Sequence, residues 1–335
     1  ISSRKKAIET AIAELKSDEI LIVAGKGHET YQEYKTKKYF SDKECMIQAI
    51  NKKNKKLSAN IKVNILNEHF KNNVNCKLII NNASINSKDI KKNDIFFGIR
   101  GKNIDGNKFA DEAIRKKASI CVIEKNYTKK KTNKIIVKKS LNTFTKLSSS
   151  IRKSLGTPII TITGSAGKTT LKELIGQTLN QIIPTVYSKK SFNNKYGVPL
   201  SLFNIKKKHK IGVFEIGMDK KGEIDYLSKI VRPDLGLITN ISYAHAENFT
   251  SLKDIAKAKG EMINNISQGG KIILNADDSF FNFFKEKALR KNLKVISFGK
   301  NSKSDFQFLK KTKINNKNYI EIKYDKKKYK FLINE

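Results

Sequence analysis

Thr163-Gly164-Ser165-Ala166-Gly167-Lys168-Thr169-Thr170 follows the apolar run 159–163 and precedes a helical pattern over 171–181. Strand, glycine loop and helix in that order are the form of a phosphate-binding loop. Gly164 and Gly167 let backbone N–H groups turn toward phosphate oxygens, and the N-terminus of the following helix adds partial positive charge. Ser165, Ala166 and Thr170 complete the loop. Lys168 is placed to reach the β- and γ-phosphates of a nucleotide such as ATP, and Thr169 to hold Mg²⁺. The longer common loop carries a glycine two residues before Gly164, where this chain has Ile162.

Outward from the loop, apolar strands at 159–163, 211–216, 235–239 and 271–274 alternate with helical stretches at 171–181, 223–230 and 252–266. Such alternation predicts an α/β fold with a doubly wound, mainly parallel sheet. Residues 305–335 alternate apolar and polar side chains, as in Tyr319-Ile320-Glu321-Ile322-Lys323-Tyr324, and predict an antiparallel appendage. Upstream, strands at 94–99 and 120–123 flank a helix at 107–117, which predicts a small α/β domain. Residues 1–50 read as a helix from Arg4 to Leu15, a strand from Ile20 to Ala24, a glycine turn and a helix from about Ser41, a partial Rossmann-like α/β segment. The polar, lysine-rich stretch around 51–62 reads as a linker. The expected division is 1–55, a linker at 56–62, a small domain at 63–150 and a central domain at 151–335. Beginning at Ile1 rather than Met and stopping at Glu335 without a tail signature, the chain reads as a fragment.

The net charge of +37 raises the question of a nucleic-acid partner. Of the 68 basic residues only six are arginine, the better reader of bases and phosphates, and the lysines lie in short dispersed runs without interleaved aromatics. A solvated surface and no nucleic-acid partner is the favoured reading. No apolar run approaches the roughly 20 residues of a membrane span, so no membrane insertion and a cytoplasmic location are expected. Cys45, Cys76 and Cys121 lack metal spacing and read as idle thiols.

The shorter loop resembles the TGxxGKTT loop of the Mur ligase family, and the resemblance continues downstream in order. Ser191-Phe192-Asn193-Asn194-Lys195-Tyr196-Gly197-Val198-Pro199 is similar to the family's NNxxGxP segment, in which Asn193 and Asn194 would position substrate and phosphates. Glu215, in Glu215-Ile216-Gly217-Met218, ends an apolar strand where a carboxylate can ligate metal, and its family counterpart binds Mg²⁺. By the same resemblance His245 assists a second Mg²⁺. The match of Ala258-Lys259-Gly260-Glu261 makes Lys259, rather than Lys257, the lysine that becomes a carbamylated oxygen ligand. Asn275 and Asp277, in Leu274-Asn275-Ala276-Asp277-Asp278, resemble the family's nucleotide-side segment.

Residues 86–109 resemble the UDP-substrate domain of the branch that adds D-alanyl-D-alanine to a UDP-N-acetylmuramoyl-tripeptide. There Ser87, Gly101, Lys102, Asp105 and Gly106 would contact substrate, although Asn86-Ser87-Lys88 stands where that branch has Asp-Ser-Arg. Gly217-Met218-Asp219-Lys220-Lys221-Gly222-Glu223-Ile224 and Ala244-His245-Ala246-Glu247-Asn248-Phe249 point to the same branch. Arg4 and Ala24-Gly25-Lys26-Gly27-His28-Glu29-Thr30-Tyr31-Gln32 instead resemble the end of the branch that adds diaminopimelate, so a two-enzyme fusion cut at both ends is expected. The resemblance implies acyl-phosphate chemistry with ATP and Mg²⁺, catalysed by Lys168, His245 and Lys259, in a monomer. A non-catalytic nucleotide and UDP-sugar binder stands beside it, and a basic nucleic-acid-binding ATPase ranks last.

Overall fold

The structure, a computed structural model, describes residues 3–333 apart from 17, 26–30, 34–36, 72–73, 76–77, 125–132, 189 and 244–247, with backbone alone at 31–33 and 37–38. Helix α1 (Arg4–Glu14) starts where the Ser3 hydroxyl accepts from the Lys6 amide, and a hairpin of β1 (Tyr31–Glu33) and β2 (Lys37–Tyr39) precedes α2 (Asp42–His69). Ser41 caps α2, with Asp42 and Glu44 in its first turn, where carboxylates favour the positive end of the helix. Ile8 and Ile12 of α1 pack on Cys45 and Ala49 of α2.

Two expectations fail in this region. Residues 20–24 form no strand. Leu21 and Val23 turn onto the α1–α2 cluster, while Ile20 and Ile22 are 89% and 83% exposed, so only alternate residues of the apolar run are covered. The described residues here are two helices and an antiparallel hairpin rather than a Rossmann-like layer. The expected linker at 56–62 lies inside α2, with Ser58, Ala59 and Lys62 buried. Lysine is a good helix former and neither glycine nor proline interrupts 51–62, so local polarity there marks a helix surface instead of a break.

The small sheet is parallel throughout, in the order β3 (Ala83–Ser84), β4 (Ile95–Phe97), β5 (Ile120–Ile123), β6 (Lys134–Ile136). The helix expected at 107–117 divides into a tight 3-10 turn at Gly106–Phe109 and α3 (Ala110–Arg115). Helix α4 (Ser140–Leu155) ends on Gly156 at φ 63°, a left-handed stop that glycine adopts without strain.

The central unit then alternates as the sequence predicts: β7 (Ile159–Thr163), α5 (Lys168–Ile182), β8 (Thr185–Tyr187), α6 (Gly197–Phe203), β9 (Ile211–Glu215), α7 (Glu223–Val231) and β10 (Leu235–Ile238). It continues through α8 (Leu252–Lys259), β11 (Lys271–Asn275), α9 (Phe281–Arg290), β12 (Lys294–Gly299), β13 (Phe306–Ile314), β14 (Lys317–Tyr324) and β15 (Lys327–Ile333). Nine strands form one sheet in the order β15-β14-β13-β12-β11-β10-β7-β9-β8, parallel from β8 to β13 and antiparallel from β13 to β15. The two sheets share a core in which the Phe97 ring lies 4.4 Å from Phe144 and 5.9 Å from Phe203, joined by Val63 and Leu66 of α2. Among the described residues, no helix is long and apolar enough to cross a membrane.

Candidate active site

Crossovers from β7 and β9 leave in opposite directions, to β8 and to β10. The carboxyl end of β7 is therefore a switch point, the place where open α/β sheets bind ligands. Gly164–Thr170 follows it directly. Gly164 sits at φ 146°, and a Cβ there would lie 1.9 Å from Thr239 Oγ1, so glycine is needed both for the backbone and for the close approach. Gly167, at φ 78°, starts α5 without a side-chain cap, which leaves the first-turn amides of that helix to face the loop mouth.

The loop is strapped to the chain leaving β10. Ser165 N donates to Asn240 O at 2.9 Å and Ala166 N to Asn240 Oδ1 at 3.0 Å, while Thr239 Oγ1 donates to Ala166 O at 2.7 Å. Ser165 Oγ donates to Ser242 O and accepts from Ser242 N, both at 2.9 Å. Asp278 Oδ2 in turn accepts from Ile241 N at 2.7 Å, so the strap is itself braced. Asn240 and Asp278, not among the site residues singled out in the sequence, brace the loop through partners distant in the chain. Lys168 Nζ donates to the carbonyls of Gly164 at 2.8 Å and Ser165 at 3.2 Å, across the loop. Burial lowers its pKa, and the nearby Glu215 charge opposes that shift.

Glu215 closes β9 and is fully buried. Its Oε1 accepts from Asn193 Nδ2 at 2.9 Å, and Asn193 O accepts from Gly217 N at 2.8 Å. Glu215 Oε2 is buried with no hydrogen-bond partner. An orphaned carboxylate oxygen is costly in a protein interior and is the donor a hard cation requires, so the residues present fit Mg²⁺. Thr169 Oγ1 lies 3.4 Å from Ser191 Oγ at the same end of α5. Lys259, 2% exposed at the end of α8, has its pKa pushed to about 7 by burial and then by the charge of Lys168. Lys168 is thus within electrostatic reach of both Glu215 and Lys259. His245 lies outside the described residues. Among the described residues no three His, Cys, Asp or Glu side chains gather, so hydroxyl and lysine-derived oxygens would have to complete a ligand set.

Next to Asn193, Asn194 Oδ1 accepts from the amides of Tyr196 and Gly197 at the start of α6. On the other flank, Asn275 Nδ2 donates to Thr239 O at 3.3 Å, and the Asp277 carboxylate accepts from the amides of Lys300 and Asn301. In the small unit, Ser87 Oγ is turned onto Glu112 Oε2 at 2.7 Å. Gly101 and Lys102 lie on an exposed turn after β4, closed by Gly101 N donating to Ile104 O. Asp105 Oδ1 accepts from Asn107 N and Nδ2, and Gly106 packs so tightly that a Cβ would lie 2.5 Å from Ile99 O.

The chain matches two family models, the Mur ligase middle domain over residues 162–334 and the Mur ligase family catalytic domain over residues 79–184. It is 34% identical over 229 residues to the UDP-N-acetylmuramoyl-tripeptide--D-alanyl-D-alanine ligase of Buchnera aphidicola from Acyrthosiphon pisum, covering 68% of this chain and 50% of that protein. MurF from Acinetobacter baumannii superposes with a TM-score of 0.71 and 25% identity over 81% of this chain and 60% of that one. MurF ligase from Thermotoga maritima in complex with ADP gives 0.67 and 26% over 76% and 58%. The chain spans about half the length of the relatives it matches. With both models falling on the two sheets just described, and the middle-domain model alone matching more than half of its residues, the chain belongs to the Mur ligase family.

Proposed function

We propose that this chain carries the ATP-binding and carboxylate-activating machinery of a ligase that joins D-alanyl-D-alanine to UDP-N-acetylmuramoyl-tripeptide in peptidoglycan precursor synthesis. The observation that carries the reading is the buried, unpartnered Glu215 Oε2 beside the Gly164–Thr170 loop. The names of the similar proteins and the ADP complex of one of them support it.

The reaction class is phosphoryl transfer followed by acyl transfer. A carboxylate oxygen of the tripeptide attacks the γ-phosphorus of ATP and ADP leaves; the amine of the dipeptide then attacks the acyl carbon, the C–O bond to phosphate breaks, and the nitrogen loses a proton as the amide forms. Lys168 and the first-turn amides of α5 would hold the β- and γ-phosphates, a positioning and charge-neutralising role that needs no covalent enzyme nucleophile. Thr169, Glu215, His245 and carbamylated Lys259 would hold Mg²⁺, which supplies charge neutralisation at the phosphoryl oxygens. A lysine pKa pushed to about 7 leaves much of the Lys259 amine neutral near pH 7, the form that carbamylation requires. Asn275 and Asp277 would border the nucleotide, and Ser87, Gly101, Lys102, Asp105, Gly106, Asn193 and Asn194 the UDP substrate.

Residues 1–55 belong in this reading to a second, diaminopimelate-adding ligase, with α2 as the junction. The Arg4 guanidinium donates to the carbonyls of Ala24 and Gly25. The protein would act in the cytoplasm as a monomer. Phosphate release measured on the full reading frame tests the activity: it should require both UDP-N-acetylmuramoyl-tripeptide and D-alanyl-D-alanine. Release indifferent to either one would overturn the proposal.

A further inference from the structure

Lys172 is fully buried on α5, one turn beyond Lys168. Its Nζ donates to Ser188 O at 2.7 Å and Lys190 O at 2.6 Å and lies 2.8 Å from Glu173 Oε1. Three acceptors meet the three donors of the ammonium, so the group is complete as a fastening and holds nothing in reserve for a ligand. The two carbonyls belong to the chain leaving β8, directly before the polar loop that carries Ser191 and Asn193. Ser191 meets Thr169 on α5, and Asn193 holds Glu215 on β9. A second feature fixes the height at which that chain leaves: at Gly176 a Cβ would lie 2.5 Å from the Tyr187 ring, so α5 and β8 are in direct backbone-to-ring contact.

One helix therefore presents Lys168 and Thr169 to the phosphate side and, through Lys172, anchors the loop that orients Glu215. We infer that Lys172 is a positioning residue that sets the geometry between the phosphate loop and the Glu215 metal side by clamping Ser188 and Lys190 to α5. Loss of the clamp frees the 190–194 loop, lets Asn193 release Glu215 and weakens the Mg²⁺-dependent part of nucleotide binding, without touching phosphate directly. The inference rests on the ATP and Mg²⁺ reading above.

The test uses the full chain and the Lys172→Met variant, with Lys62→Met, another buried lysine, on α2 and bonded to Asn81 O, as control. Amide hydrogen exchange, which needs no ligand, should quicken across 190–194 while α5 stays protected. The Mg²⁺ concentration for half-maximal ADP binding should rise about tenfold or more, as for lost supports of metal ligands, with Mg²⁺-free ADP affinity unchanged. In the full reading frame kcat should fall, and KM for ATP should rise at limiting Mg²⁺ and recover at saturating Mg²⁺. Lys62→Met should alter none of these. Should Lys172→Met fail to fold, Lys172→Gln, which keeps two N–H donors on a shorter side chain, carries the same comparison. Unchanged exchange, or faster exchange with unchanged Mg²⁺ dependence, overturns the inference. Wild-type protein that binds no ADP with Mg²⁺ would instead remove the functional reading, while the exchange result still reports on the clamp by itself.

Discussion

At Lys62, burial beneath Phe203 and then the charge of Lys206 push the ammonium pKa down to about 7 from an ordinary 10.5. Between those two values the unfolded chain binds the proton and the folded chain does not, so the cost of folding an uncharged amine shrinks as pH rises. Stability should therefore climb from about pH 7 toward about pH 10, and Lys62→Met should flatten that climb in urea midpoints taken across the window. Gly164 supplies a steric counterpart. Gly164→Ala places a methyl 1.9 Å from Thr239 Oγ1 and 3.0 Å from Thr239 N at a φ of 146°. It should cost about 1–3 kcal/mol and abolish binding of a fluorescent ADP analogue. Thr239→Ala should restore part of the stability, because the hydroxyl clash is removed while the backbone contact stays.

Helix α2 is where sequence and structure part most clearly. Its middle turns carry Lys and Asn outward and Ser58, Ala59 and Lys62 inward, and an inward face built of small or polar residues has no apolar stripe to announce it. Asn60→Pro, at an exposed position, separates the two views. A linker would tolerate it, whereas one continuous helix should lose about 3 kcal/mol or more, read as a lower urea midpoint for the whole transition. The phosphate loop was legible because Gly164, Gly167, Lys168 and Thr169 are adjacent and each has a local physical reason. Glu215 was legible as the acidic end of an apolar strand. Asn240 and Asp278 were not, since they act on residues 74 and 37 positions away, and Lys172 was not, since one lysine among so many carries no signal until its carbonyl partners are seen. The run 20–24 misled for a related reason: continuous apolarity predicts two covered faces, and only one is covered.

At the scale of the molecule, a charge of +37 repels itself across the whole surface. Raising NaCl from about 0.01 M to about 0.15 M shortens the screening length from about 30 Å to about 8 Å, so the thermal midpoint should rise over that range. A midpoint that falls or stays constant would mean that favourable ion pairs outweigh the repulsion. The aromatic core bears on motion. Phe97, Phe144 and Phe203 meet between the small sheet and the large one, and parting the sheets would wet each ring at about 1.5–3 kcal/mol apiece. The two sheets therefore travel as one block. A probe pair placed across the two sheets should register the same distance with and without ADP.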